Sequence, residues 1–196
     1  MNTNPDYNRL YDTAERQAGY FTAAQARKHG FSWERLSDNV KHGRFLRLYR
    51  GVYRLANFPS SPYEDLFVAW LRTGPHSVIS HESALSLYNL SDVLPQEIHV
   101  IIPRSGSRRR PGLRLHTNQL RPEEITTRQG LPVTTVARTI ADVAVYGLDQ
   151  QHIIQSIQEG LYRGLTTPEE LIMQADYQGG RVQTIIYDTL AGTLLS

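Results

Sequence analysis

The side chains with most chemistry to offer in this chain are its 21 lysines and arginines, because they fall in two blocks. Residues 1–58 hold ten Lys/Arg against five Asp/Glu, and residues 104–121 hold six against none. Residues 59–103 hold one against five, and residues 122–196 hold four against nine. The formal net charge of +2 therefore conceals two cationic segments set between acidic ones. Clustered cations suit a polyanion, phosphate above all. A solvated basic face is the other reading of a charge block, so the surrounding pattern has to choose.

Catalysis has a weaker claim. The seven histidines, His29, His42, His76, His81, His99, His116 and His152, are scattered and show no HxH or HExxH spacing. No metal site is expected from that pattern. His81-Glu82-Ser83 supplies a base, a carboxylate and a hydroxyl, but adjacent helical residues face different directions. Ser80 to Ser83 is more simply a helix cap with a polar first turn. Glu123-Glu124 and Glu169-Glu170 follow Pro122 and Pro168, where acids complement a helix dipole. No Gly-rich phosphate loop or nucleophile elbow is present. The pattern predicts no catalytic residues, no enzyme activity and no cofactor.

Cysteine is absent, which excludes disulfides and thiolate metal sites. No apolar run approaches the roughly 18 residues of a membrane span. Met1 to Tyr7 lacks the basic-then-apolar order of a signal peptide. A cytoplasmic protein without membrane contact is expected.

The elements that would position the first basic block can be read locally. Leu10, Tyr11, Ala14 and Ala18 have helical spacing, and Gly19 ends that run. Thr22 begins a short helix closed by Gly30. Ser32 begins a third, with Trp33, Leu36 and Val40 on one face and Arg35, Ser37, Asp38, Asn39 and Lys41 on the other. Glu34 lies two residues after Ser32, not the three a capping box needs. Arg44 to Leu55 is rich in β-formers around a glycine turn at Tyr49 to Gly51, which predicts a hairpin. Two short helices joined at a glycine and followed by a basic hairpin describe a winged helix-turn-helix over residues 1–58.

In that geometry the partner is double-stranded DNA. Thr22, Gln25 and Ser32 belong to helix starts, where backbone N–H groups favour phosphate. Arg35, Asn39 and Lys41 would reach base edges or phosphates from the third helix. Arg44, Arg47, Tyr49 and Arg50 would touch the backbone or minor groove from the hairpin. Trp33 and Tyr53 are expected in the small core.

Asn57 to Pro62 reads as a linker. A mixed α/β domain is expected over 63–196, which makes the fold class α+β. It has helices over Tyr63–Thr73, His81–Leu90, Thr135–Tyr146, Gln150–Tyr162 and Thr167–Gln174, and strands over Glu97–Ile102, Leu113–His116 and around Gln129-Gly130. The second basic block carries Arg104, Arg108, Arg109 and Arg110. It is either a second DNA contact, a solvated turn or a dock for an acidic partner.

The chain also resembles the AbiEi family of antitoxins from bacterial abortive-infection systems. The matching stretches are Gly19 to Ala26, Leu46 to Leu55, Ser80 to Leu85, Ile98 to Arg104 and Gly130 to Asp142, in that order, within roughly residues 8 to 175. The resemblance implies a repressor that binds inverted repeats in its own promoter. It also implies a second domain that counteracts a nucleotidyltransferase-like toxin, with direct contact to that toxin left open. A module that neutralises the toxin by direct binding, with DNA binding secondary, is the alternative.

Overall fold

The computed structural model describes residues 4–92, 95–103 and 110–193. The fold is α+β. Two compact units divide the chain: Met1–Pro75 with Gln129–Leu131, and His76–Arg128 with Pro132–Ser196.

The first unit opens with α1 (Tyr7–Glu15), β1 (Tyr20–Thr22), α2 (Ala23–Lys28) and α3 (Trp33–Lys41). A hairpin of β2 (Phe45–Tyr49) and β3 (Val52–Leu55) follows, then α4 (Glu64–Thr73). The three strands form an antiparallel sheet in the order β1-β3-β2. Local chemistry sets each boundary. Thr22 and Gln25 form a reciprocal capping box at α2. Ser32 caps α3 by accepting from Arg35 N at 3.2 Å, and its hydroxyl donates to Glu34 at 3.1 Å. Gly51 takes φ +79° in the wing turn, a conformation that favours glycine.

Leu10, Ala14, Phe21, Ala26, Phe31, Leu36, Phe45 and Tyr53 make one buried cluster. Each large ring or leucine removed from water there contributes about 1.5–3 kcal/mol. Gly19 has a packing reason as well as φ +89°: a Cβ there would lie 2.5 Å from Phe58. Helix α4 belongs to this unit. Tyr20 stacks on Phe67 with ring centroids 4.9 Å apart, and its hydroxyl donates to Glu64 Oε2 at 3.1 Å. The division consequently falls after Pro75, and not in the Asn57–Pro62 segment where composition placed it.

The second unit holds β4 (Val78–Ile79), α5 (His81–Tyr88), β5 (Ile98–Ile101), β6 (Leu113–His116) and β7 (Ile125–Arg128). A hairpin turn at Gln129-Gly130, with both φ values positive, leads to β8 (Leu131–Thr134). Helices α6 (Val136–Tyr146), α7 (Gln150–Tyr162), α8 (Pro168–Gln178) and α9 (Gly180–Thr193) complete it. The mixed sheet has the order β6-β5-β4-β8-β7. Strand β4 runs antiparallel to β5 and parallel to β8, and β5 runs parallel to β6. Helix α9 escaped the sequence reading, although Val182, Ile185, Ile186, Thr189 and Leu190 form its buried stripe at helical spacing.

A buried ion network ties the second unit together. Arg138, 2% exposed, donates to Asp142 at 2.9 Å and to Glu124 at 3.0 Å. Glu124 sits in a 3-10 turn, Pro122–Glu124, and also accepts from Arg121 N, the Arg121 guanidinium and the Gln174 amide. It is therefore a buried hub and not the dipole-complementing surface acid expected. Burial alone would raise its pKa, but these donors outweigh it and hold the carboxyl down at about 2. Burial wins at Asp142, which is pushed up to about 6 against the pull of Arg138.

Candidate nucleic-acid interface

The face formed by α3 and the β2–β3 wing gathers most of the cations expected to meet phosphate. Arg35, Lys41, Arg44, Arg47 and Arg50 are all exposed. Among the described residues, none of these five makes an ion pair with a carboxylate. Between α3 and the wing lies a concavity of about 620 Å³, lined by Trp33, Ser37, Val40, Arg47, Arg50, Gly51 and Tyr53. Helix geometry explains the lining. At about 100° per residue, Ser37 and Val40 fall within about 40° of Trp33, so the three form one stripe. A charged or aromatic group on that stripe meets whatever lies between helix and wing.

Trp33 is the main correction to the sequence reading on this face. It is 58% exposed, not a core residue, and the Arg27 guanidinium lies 5.4 Å from its ring centroid. The buried side of α3 carries Leu36 and Asn39, and Trp33 is turned about 60° and 120° away from them. Phe31, Leu36 and Phe45 fill the core without it. Tyr53 does pack in the core, 6% exposed, as expected.

Asn39 is corrected in the opposite sense. It is 3% exposed, its amide donates to Arg35 O at 2.8 Å, and its oxygen accepts from Tyr7 at 3.2 Å. A side chain held this way cannot reach a base edge; it fastens α1 to α3. Gln25 is also spent internally. Its oxygen accepts from Thr22 N at 2.8 Å, and its amide donates to Gln17 at 2.9 Å. Thr22 Oγ1 in turn accepts from Gln25 N at 3.1 Å. Gln25 and Thr22 thus position α2. Tyr49 is 43% exposed, with the Arg72 guanidinium 4.0 Å from its ring centroid. Ser32 is exposed at the start of α3 with its hydroxyl engaged in the cap.

Arg104, Arg108 and Arg109 lie outside the described residues. Arg110 belongs to the second unit and bridges Leu113 through its backbone.

The histidines are not all scattered. His81, His99 and His116 converge in the second unit, with one ring nitrogen from each within 4.8 Å of the others. Burial holds all three well below the ordinary imidazole value, His81 at about 2 and the other two at about 4. Ser80 does not cap α5 with its side chain as expected. Its hydroxyl meets His81 Nδ1 at 3.0 Å.

A three-helix winged helix with an exposed cationic face, followed by an α/β unit, defines the class as a winged-helix protein with an appended domain. Comparison with family models gives the particular family. Residues 8–56 match the model described as "Transcriptional regulator, AbiEi antitoxin", and residues 77–185 match "AbiEi antitoxin C-terminal domain". The chain belongs to the AbiEi antitoxin family and is an antitoxin with a regulatory role. Comparison with curated proteins found no match. Among solved structures, the RV2827C protein from Mycobacterium tuberculosis is similar in fold, with TM-score 0.56 and 12% identity. The similarity covers 94% of this chain and 75% of that one.

Proposed function

We propose that the first unit binds double-stranded DNA, with α3 in the major groove and the β2–β3 wing on the flanking backbone. The observation that carries this reading is the set of exposed cations on α3 and the wing, of which Arg47 and Arg50 line the Trp33 concavity. Arg44, Arg47 and Arg50 hold phosphate, which sets register and carries no sequence information. Trp33 and Ser37 project from one stripe of α3 toward base edges, and Arg35 and Lys41, elsewhere on the helix surface, reach phosphate. Asn39 and the Thr22–Gln25 box hold the helices in place, and the start of α2 meets phosphate through its backbone N–H groups.

The operator in this reading is an inverted repeat in the chain's own promoter, as the AbiEi family membership suggests, and its two half-sites would take two winged helices. Binding there represses the operon, and the second unit counteracts a nucleotidyltransferase-like toxin encoded with it. The chain works as a binder and not as a catalyst. Its DNA partner places it in the cytoplasm, and among the described residues no helix is long and apolar enough to cross a membrane. Retarded migration of the chain's own upstream duplex tests this directly. A salt-sensitive shift is expected at a much lower protein concentration than a scrambled duplex of equal length requires. Equal affinity for both duplexes would overturn the repressor reading. Capture of the neighbouring toxin by a protein that retains no DNA would favour the direct-binding alternative.

A further inference from the structure

We propose that His81, His99 and His116 form a binding site for one divalent transition-metal ion, with zinc the best fit. This inference is independent of DNA binding, since all three residues lie in the second unit.

The fold builds the cluster from three directions. His99 and Ile101 share one face of β5 by strand alternation. The parallel register sets Ile101 opposite His116, and His99 opposite Arg114, so His99 and His116 lie on the same face of the sheet. His81 arrives from the first position of α5. It is a non-glycine residue at φ +50°, a conformation that costs energy and gathers at functional sites. Tyr146 presents its ring to all three imidazoles at 5.3–5.5 Å, in edge-on geometry. His81 and His99 are 2% and 5% exposed.

The spacing suits a shared ion. Two nitrogens bound tetrahedrally at about 2.0–2.1 Å stand about 3.3 Å apart. His99 Nδ1 and His116 Nε2 are 3.2 Å apart. The far side of the His81 ring is hydrogen-bonded, and a carboxylate stands beyond hydrogen-bond distance from the far side of His99. Metal-binding imidazoles characteristically give their other nitrogen to a carboxylate or hydroxyl, which fixes ring orientation. His99 Nε2 lies 4.0 Å from Glu82 Oε2, and His81 Nδ1 lies 3.0 Å from Ser80 Oγ. Those contacts leave His99 Nδ1 and His81 Nε2 for the ion. Three uncharged imidazoles, with no cysteine in the chain, match the His₃ set that zinc accepts with water as a fourth ligand.

One adjustment is required. The His81 and His116 rings stack with centroids 3.7 Å apart and planes 12° from parallel. Their in-plane lone pairs then run side by side, so the His81 ring must rotate about its Cβ–Cγ bond to meet the ion. Once bound, the ion would join the first residue of α5 to β5 and β6, the two strands that enter and leave the Arg-rich connection. Its role in this reading is to fix the roots of that connection.

The test is titration of the chelator-stripped full chain with Co²⁺, read by its visible absorption, followed by displacement with Zn²⁺. One equivalent should saturate a band of four-coordinate intensity, and Zn²⁺ should abolish it. Glu82→Gln and Ser80→Ala should each weaken binding about 10–100-fold, and His116→Gln should abolish the band. At Zn²⁺ equal to 100 times Kd, the folded-to-unfolded ratio should rise about 100-fold. Absence of saturable binding below millimolar Co²⁺, or an unchanged band in both His116→Gln and Glu82→Gln, would overturn the site. Should His116→Gln fail to fold, ring ¹⁵N spectra of the wild type decide. Zn²⁺ must shift the resonances of His81, His99 and His116, and shifts confined to the other four histidines reject the proposal.

Discussion

Replacing Arg47 and Arg50 together by alanine isolates the wing. Both side chains are exposed and line the concavity opposite Trp33. Exposed substitutions of this kind change stability by no more than about 0.5 kcal/mol. Five exposed, unpaired cations, Arg35, Lys41, Arg44, Arg47 and Arg50, are available to phosphate on each winged helix. Each phosphate contact contributes about −0.9 to the slope of log K against log salt, so one unit on a half-site has a slope of about −4.5 and the double variant about −2.7. Between 50 and 200 mM salt the wild type then loses roughly 500-fold in affinity and the variant roughly 40-fold. Fluorescence anisotropy with a labelled half-site duplex, repeated over a salt series, reads both slopes. Scrambled duplex should show the same loss of slope, because phosphate contacts are blind to sequence. A slope unchanged in the double variant, with its thermal midpoint intact, would refute the wing as a phosphate contact.

Other outcomes follow from the same geometry. Trp33→Ala should weaken DNA binding by more than about fivefold while leaving the thermal midpoint unchanged, since the ring is 58% exposed. A lower midpoint with unaltered binding would return Trp33 to the core. Asn39→Ala should do the reverse, costing about 1–3 kcal/mol in urea unfolding because it leaves Tyr7 and Arg35 partners unmet. Gly19→Ala should destabilise the first unit, since the new Cβ would lie 2.5 Å from Phe58 at φ +89°; a wild-type urea midpoint would contradict this. Arg138→Met should cost about 3–5 kcal/mol near pH 7.5 by stranding Asp142 and removing one of the donors to Glu124. That cost should shrink as pH falls and the stranded Asp142 carboxyl takes up a proton; a pH-independent cost would point to packing alone.

The pH dependence of the metal-free protein combines opposing signs. His81, His99 and His116 have lowered folded pKa values, so their contribution is present above about 6.5 and is lost as pH falls. Glu124, lowered to about 2, behaves the same way from about 4.5 downward. Asp142, raised to about 6, works in the opposite direction and is stabilising in acid. Near pH 5 the unfolded chain binds about two more protons than the folded one, so stability should fall by about 3 kcal/mol per pH unit. Denaturant unfolding at pH 5.0 and 5.5 measures this, and a flat profile would show that the three rings are not buried as neutral imidazoles.

Much of the fold was legible because its signals are local. The caps at Thr22 and Ser32, the glycine turn at Gly51 and the apolar stripe of α6 all act over a few residues. The bounds of α7 could be read directly as Gln150–Tyr162. The candidate DNA face was legible for the same reason, since its arginines lie on a hairpin whose register a short turn dictates. Its misreadings come from helix rotation. Trp33 and Asn39 stand six residues apart on α3, and which of them faces inward depends on where Phe31, Leu36 and Phe45 pack.

By itself, the sequence determined the winged helix-turn-helix, the placement of cations on it and the family to which the chain belongs. Tertiary structure decided which of those side chains are free and which hold the fold. It also brought together Glu124, Arg138, Asp142 and Gln174, which lie up to 50 residues apart. The histidines show the difference most clearly. At intervals of 18 and 17 residues they match no ligand spacing, because the distance between them is set by strand register and by one left-handed residue at a helix start. Hydrogen bonding between strands, not separation along the chain, puts their nitrogens within 4.8 Å of one another.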